Sequence, residues 1–417
     1  MNIWILNQYA IPPDTPGGTR HFDFAREFLK SGHQVSIFSS GFNHRTRREE
    51  RLEGKQNYRR ESIDGVEFIW IKTLPYYKGN DLRRVLNMLS YCFSVIPLGL
   101  RLKASPDVIL ASSPHLFAGL AGYILAKAKR ARFIFEVRDL WPQTLVDIGG
   151  YNSKNPLVKF LRALERFLYR RAKMIVVLAP KGANYITRLG IPDNKIVHIP
   201  NGVSPELFVN AAANLPEQLN ELVSSLKLEG NTLVGYIGAH GIANALDTII
   251  ETANLLHNEG VAKAHFILVG DGPEKAKIMA KAKSWGLGNV SFYDPVPKNA
   301  VPAFLRHIDI TVISIKKSDL YQYGTSLNKL YDYMACAKPV VWGTNSVNNP
   351  VAEANCGITV PPEDSGGMAK AIVKLCDLSN KERQETGMRG YEYVMKYHSV
   401  PILVNRLLEA IADVKLG

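Results

Sequence analysis

Short apolar runs alternate with amphipathic stretches along this chain, and the alternation starts twice. Asn2 to Asn7 reads as a strand, Thr19 to Ser31 as a helix with Phe22, Ala25, Phe28 and Leu29 inward, and Gln34 to Ser39 as a second strand. A strand–helix–strand unit implies parallel pairing, a right-handed crossover and a sheet covered on both faces. The pattern recurs at Val108–Ala111, Phe133–Val137 and Met174–Leu178. It restarts with strands at Thr232–Ile237, His265–Val269, Val290–Tyr293, Ile310–Ser314 and Pro339–Trp342, interleaved with helices at Leu246–His257 and Lys275–Trp285. A connector, Ile196 to Phe208, lies between the halves. At 417 residues the chain exceeds one ordinary core. The expected architecture is α/β: two doubly wound Rossmann-like domains, residues 1–205 and 206–395, facing a cleft, with a helix over about 396–417 (Pro401 to Val414) returning to the first domain.

Charge divides the same halves. Residues 1–200 hold 31 Lys and Arg against 16 Asp and Glu, whereas residues 201–417 hold 20 against 22. An anionic partner is therefore expected for the first half alone. The four cysteines (Cys92, Cys336, Cys356, Cys376) show no metal spacing and suit a reducing compartment. The chain opens on the apolar strand Ile3-Trp4-Ile5-Leu6 with no basic and apolar leader, so a cytoplasmic location is expected.

The stretch from Tyr323 to Val341 carries the most chemistry. Gly324 and Thr325 break the chain, Ser326 or Asn328 is placed to cap a helix, and Pro339 stops it before Val340-Val341-Trp342. A helix opened this way offers free N–H groups and a partial positive charge to an anion. Lys329 lies in its first turn and Asp332 three residues on. A lysine and amides for a diphosphate, with a carboxylate one turn deeper for a ribose diol, make a sugar-nucleotide seat. A surface Lys–Asp pair is the plainer alternative.

Other candidates stand just beyond strand ends, where a doubly wound sheet binds ligands. Gly17-Gly18 leads straight into a helix and permits close approach of a phosphate, or is a mere turn. His115 is a ligand contact or a helix cap, and Arg138-Asp139 a functional pair or a buried ion pair. Neither G-x-G-x-x-G nor G-x-x-x-x-G-K-[ST] occurs, which argues against a dinucleotide redox enzyme and a P-loop ATPase.

The order of Gly17-Gly18, His115, Arg138-Asp139, Asn201-Gly202-Val203, Gly270-Asp271-Gly272-Pro273, Asp332-Tyr333-Met334-Ala335 and Lys338-Pro339-Val340-Val341 resembles retaining glycosyltransferases of family 4, with the GT-B fold. The likeness is strongest to the bacterial branch that builds O-antigen, capsule and exopolysaccharide. It implies a nucleotide-sugar donor, a UDP-sugar, on the second domain, an acceptor on the first, and neither cofactor nor metal. The family's E-x7-E pattern falls on Gly324 and Asp332, which leaves Asp332 for the ribose and the backbone of Thr325, Ser326 and Leu327 for the sugar or phosphates. The family's basic pair falls on Ala239 and Asn244. His240 and Lys329 are the nearest cations, and Lys329 is expected to keep its charge irrespective of pH near neutrality. The resemblance also makes His115 and Arg138 orienting groups for sugar and acceptor, with Asp139 beside them as a further catalytic candidate.

Leu82 to Lys103 is too short and interrupted for a membrane span and reads as a core or interfacial helix with basic flanks. With the basic cluster from His44 to Arg60 and Arg162, Arg166, Arg170 and Arg171, it points to peripheral binding on anionic lipid and a lipid-linked saccharide acceptor. Three rival readings are weighed on the residues. A non-hydrolysing epimerase needs carboxylates placed for proton transfer on the sugar, and the strand ends show no convincing acidic cluster. A nucleic-acid platform needs aromatics among its cations, where the cluster at 44–60 has only Tyr58. An inactive sugar-nucleotide-binding protein is the reading that Gly324, Ala239 and Asn244 favour.

Overall fold

The computed structural model describes residues 1–76, 82–209, 215–260 and 263–413. Two compact units make up the chain. The first comprises Met1–Pro12, Thr19–Pro200 and the chain from Leu403; the second comprises Pro13–Gly18 and Asn201–Ile402.

Among the described residues of the first unit ten strands form in chain order: β1 (Asn2–Leu6), β2 (Gln34–Ser40), β3 (Phe42–Asn43), β4 (Arg48–Glu49), β5 (Tyr58–Ile63), β6 (Val66–Ile71), β7 (Val108–Ser112), β8 (Arg132–Val137), β9 (Met174–Val177) and β10 (Ile196–His198). Its helices are α1 (Arg20–Lys30), α2 (Leu82–Arg101), α3 (Leu116–Lys129), α4 (Gln143–Asp147), α5 (Pro156–Arg171) and α6 (Gly182–Thr187). Eight strands share one sheet in the order β10-β9-β8-β7-β1-β2-β6-β5, while β3 and β4 pair alone. All neighbours in the large sheet are parallel except β5 and β6. Central strands such as β7 (VILAS) are buried throughout, as a sheet covered on both faces requires. Strand order reverses at β1, which pairs with β2 on one side and β7 on the other, so the loops after β1 and β7 flank the switch point.

The second unit carries β11 (Thr232–Ile237), β12 (Ala264–Val269), β13 (Val290–Tyr293), β14 (Ile310–Ser314), β15 (Val340–Gly343) and β16 (Gly357–Val360), all parallel in the order β13-β12-β11-β14-β15-β16. Its helices are α7 (Pro205–Val209), α8 (Glu217–Leu228), α9 (Leu246–Glu259), α10 (Lys275–Ser284), α11 (Val301–His307), α12 (Asn328–Ala335), α13 (Pro350–Glu353), α14 (Ser365–Cys376) and α15 (Asn380–His398). The switch point falls between β11 and β14. Last comes α16 (Val400–Asp413), whose Ile411 carbonyl accepts from Arg132 Nη1 at 2.8 Å within the first unit. Val414 and the residues after it lie outside the described chain.

The alternating strands and helices stand where periodicity put them, within a residue or two. Sequence reading missed the β5–β6 hairpin, in which the half-exposed, charged strand Tyr58–Ile63 pairs antiparallel with Val66–Ile71 across a turn at Asp64-Gly65. It also passed over β10, whose three residues sit inside the presumed connector. Among the described residues no helix is long and apolar enough to cross a membrane.

Candidate functional site

Loops leaving β11 and β14 are sewn together at the second unit's switch point. Ser314 Oγ, at the end of β14, donates to the carbonyls of Asn244 (2.5 Å) and Ala245 (2.9 Å). Tyr236 OH and Asn244 Nδ2 both donate to the Ala239 carbonyl, at 2.7 and 2.9 Å. Into this loop reaches Lys329, from the first turn of α12. Its Nζ donates to Asn244 Oδ1 at 2.6 Å and Tyr236 OH at 2.8 Å, and lies 4.5 Å from the Tyr236 ring centroid. These partners are neutral, so burial of the ammonium pushes its pKa down to about 7. The expectation of a charge indifferent to pH near neutrality is thereby corrected.

His240 is corrected too. It has no exposure, and neither ring nitrogen has a protein partner among the described residues. Burial, reinforced by Lys275, pulls its pKa to about 4, so it is a neutral imidazole at neutral pH. Its backbone is held by the glycine loop after β12: His240 N donates to the Asp271 carbonyl (2.8 Å) and Glu274 N to the His240 carbonyl (3.0 Å). A Cβ on Gly272 would come within 2.5 Å of the His240 oxygen, so that glycine lets the two backbones touch.

The first turn of α12 differs from the expected cap. Leu327 holds the N-cap position without a side-chain bond. Ser326 Oγ accepts from Asn201 N (2.8 Å), and the Ser326 carbonyl accepts from Asn201 Nδ2 (2.6 Å). Gly324, at φ 90°, makes the left-handed turn before it. The Thr325 amide, expected to be open, donates instead to Asn348 Oδ1 at 2.8 Å. The amides of Ser326, Leu327 and Asn328 donate to no protein group among the described residues. Gly18 lies against the same turn, since a Cβ there would sit 2.6 Å from Asn328 Nδ2. Gly17, at φ 145°, precedes it.

Asp332 is not Lys329's partner. Both its oxygens accept from Lys298 Nζ at 2.6 Å, and the pair is almost wholly enclosed. Lys298 was missed as a partner because it stands 34 residues away on a short turn. Its apolar and proline neighbours, Val296 and Pro297, were the available signal.

In the first unit His115 is fully buried and caps α3, its Nδ1 accepting from Ala118 N at 3.3 Å. Its Nε2 lies 2.5 Å from Gln8 Oε1, and Gln8 Nε2 donates to Asn87 Oδ1, also at 2.5 Å. With Nδ1 an acceptor, Nε2 carries the hydrogen, and burial holds the ring neutral with a pKa of about 3. Both nitrogens are engaged inside the protein, the arrangement of a structural cap. Arg138 and Asp139 follow β8; the Arg138 amide donates to Ser113 Oγ at 3.1 Å, Arg138 is half-buried and Asp139 is exposed. Sequence reasoning missed a buried cluster beside them. Glu136 accepts from Arg20 Nε (2.8 Å), His21 Nε2 (2.8 Å) and Ser112 Oγ (2.5 Å). Burial opposes the Glu136 charge, but Arg20 and His21 outweigh it and hold the carboxyl well below the usual range. A lone glutamate in the apolar strand Arg132–Val137 was the signal.

A lysine with no carboxylate partner among the described residues, rising from the first turn of a helix with open leading amides at a switch point, is chemistry for an anion. Two doubly wound sheets with these strand orders define a two-domain α/β protein of the GT-B type, and solved structures agree. The chain matches sucrose-phosphate synthase from Thermosynechococcus elongatus with a TM-score of 0.74 at 16% identity, covering 99% of this chain and 98% of that one. Anabaena HepE in complex with UDP-glucose matches with a TM-score of 0.69 at 14% identity, over 99% of both chains. Residues 17–202 match the family model described as glycosyl transferase 4-like domain, and residues 231–377 that of glycosyl transferases group 1. The chain belongs to this glycosyltransferase family, family 4. A similar curated protein is WcaI of Escherichia coli K12, named for colanic acid biosynthesis as a glycosyl transferase, at 25% identity over 62% of this chain. The chain spans 63% of that relative's length.

Proposed function

We propose that this protein is a retaining, metal-independent glycosyltransferase that moves a sugar, of the hexosyl type, from a UDP donor to a lipid-linked saccharide during synthesis of a bacterial surface polysaccharide. The observation that carries the reading is Lys329 Nζ, held by Tyr236 and Asn244, on a helix whose leading amides at Ser326, Leu327 and Asn328 are open among the described residues. As the diphosphate leaves, negative charge grows on its oxygens, and a fixed ammonium with preset amides stabilises it where it develops. Gly17 and Gly18 allow the backbone close to that anion. A phosphate oxygen of the leaving group takes the proton of the acceptor hydroxyl, so no protein base is required. His115 acts through Gln8 and Asn87 to fix the loop after β1, whereas Arg138 and Asp139 orient the acceptor. Asp332, with Lys298, fixes the ribose end. HepE's complex with UDP-glucose and WcaI's name support the donor class and the pathway class respectively.

The test is transfer of radiolabelled sugar from UDP-, GDP-, ADP- and dTDP-sugars to extracted lipid-linked saccharide, with and without chelator. UDP-dependent labelling of lipid, unchanged by chelator and with retained anomeric configuration, is expected. An altered sugar from donor alone would show an epimerase, and donor binding without turnover an inactive binding protein.

A further inference from the structure

Three helices of the first unit line up with a peculiar composition. α2 packs on α3 and α3 on α5. A Cβ on Gly99 of α2 would meet Leu125 of α3, and the Tyr123 ring of α3 stands edge-on to Phe167 of α5 at 5.2 Å. Together α2, α3 and α5 contain ten Lys and Arg and a single carboxylate, Glu165. Glu165 is buried and accepts from Tyr169 and Tyr185, so it offers the surface no negative charge.

Their outward faces are apolar as well as basic. Leu86, Phe93 and Leu100 recur every seven residues on one stripe of α2, and Phe93 is 73% exposed. Phe160 projects from α5 at 55% exposure. One turn along, Ala163, Arg166, Phe167, Arg170 and Arg171 line a surface hollow, with the Arg171 guanidinium 5.5 Å from the Phe167 ring centroid. A soluble surface rarely shows aromatics and aliphatics in register with a run of cations such as Arg166, Arg170 and Arg171, and an interfacial helix does. The basic hairpin region is different: Arg60 pairs with Glu67 at 2.9 Å, and Arg59 and Arg51 lie 3.8 and 4.0 Å from Glu61.

We propose that the α2–α3–α5 face docks on an anionic phospholipid bilayer, with Leu86, Phe93, Leu100 and Phe160 entering the headgroup boundary and the arginine-lined hollow taking a lipid phosphate. The basic stretch at 44–60 is not the docking surface. This deepens the lipid-linked acceptor reading and rests on it for its purpose only, because docking is measured without donor or acceptor and the two can fail separately.

Flotation of the full chain with phosphatidylglycerol–phosphatidylcholine vesicles, against phosphatidylcholine alone, tests it. Flotation is expected with the anionic vesicles only. Phe93→Asp and the pair Arg166→Glu/Arg170→Glu should each weaken partitioning by at least about tenfold, while Arg59→Glu/Arg60→Glu should change it less than about twofold. Unchanged circular dichroism and melting temperature certify that the variants fold. Equal binding to neutral vesicles, loss through the Arg59/Arg60 variant alone, or capture of short RNA without vesicle binding would each overturn the assignment.

Discussion

Affinity for a nucleotide-diphosphate sugar should fall as pH rises above 7, and Lys329 sets the fall. In the free protein its pKa is about 7, lowered from 10.5 by burial. A diphosphate beside the ammonium favours the protonated form, so binding above pH 7 takes up a proton. With a bound-state pKa near the ordinary lysine value, the apparent dissociation constant grows as one plus the ratio of neutral to charged amine. It is flat near about pH 6 and about 30-fold weaker at about pH 8.5. Groups nearby do not mimic this. His240, at about 4, is already neutral, and the diesterified phosphates of a sugar nucleotide hold constant charge across the range. The same depressed pKa has a stability signature of known sign: the charged amine costs the fold below about 7, and stability rises with pH from there towards the unfolded value. Calorimetric titration in two buffers of different ionisation enthalpy counts the proton directly. Lys329→Arg should flatten the profile, and Lys329→Met should be weak and flat. A wild-type affinity unchanged between those pH values, or a slope surviving in the Met variant, refutes the reasoning.

Other expectations follow from the same contacts. Lys329→Ala should lower turnover about 100- to 1000-fold, the effect of deleting one preset donor to a developing oxyanion, and a wild-type rate would remove it from the chemistry. Lys298→Met leaves the enclosed Asp332 carboxylate without a partner and should cost about 3 kcal/mol in urea unfolding, largely restored by adding Asp332→Leu. Gly18→Ala should cost little stability, because Asn328 Nδ2 is the movable end of a side chain, yet weaken donor binding several-fold; Asn328→Ala in the same chain should recover part of it. Glu136→Gln removes the carboxylate charge that faces Arg20 and His21 and should destabilise by about 3 kcal/mol. Because the folded Glu136 pKa is depressed, its contribution is complete above the ordinary carboxylate pKa. It is lost as pH falls through the folded value, readable from unfolding free energy in acid.

Periodicity revealed the two sheets because buried parallel strands are apolar runs and their helices repeat at a different interval. It did not show the hairpin β5–β6, whose antiparallel pairing rests on a turn at Asp64-Gly65 rather than on a pattern. At the site, Lys329 and the open turn before it were legible, since glycine, serine and proline mark helix ends locally. What they touch was not. Tyr236 lies 93 residues from Lys329, and Lys298 lies 34 from Asp332, so only the folded chain decides that Lys329 and Asp332 face separate partners. The protonation of Lys329 and His240 was equally hidden, because burial is a property of tertiary packing. His115 was legible as one of two alternatives, and its contacts with Ala118 and Gln8 give it the capping role.

The outermost strand β5 has a consequence for handling the protein. Its residues alternate in exposure, and Arg59, Arg60 and Glu61 stand where a flat, oily margin would invite another molecule to extend the ladder. A second copy approaching edge to edge must strip water from guanidinium and carboxylate groups and disturb the Arg59–Glu61 and Arg60–Glu67 pairs. Fibrous self-association through this border is thereby discouraged, and exchanging the three for valine would convert a guarded rim into an adhesive one.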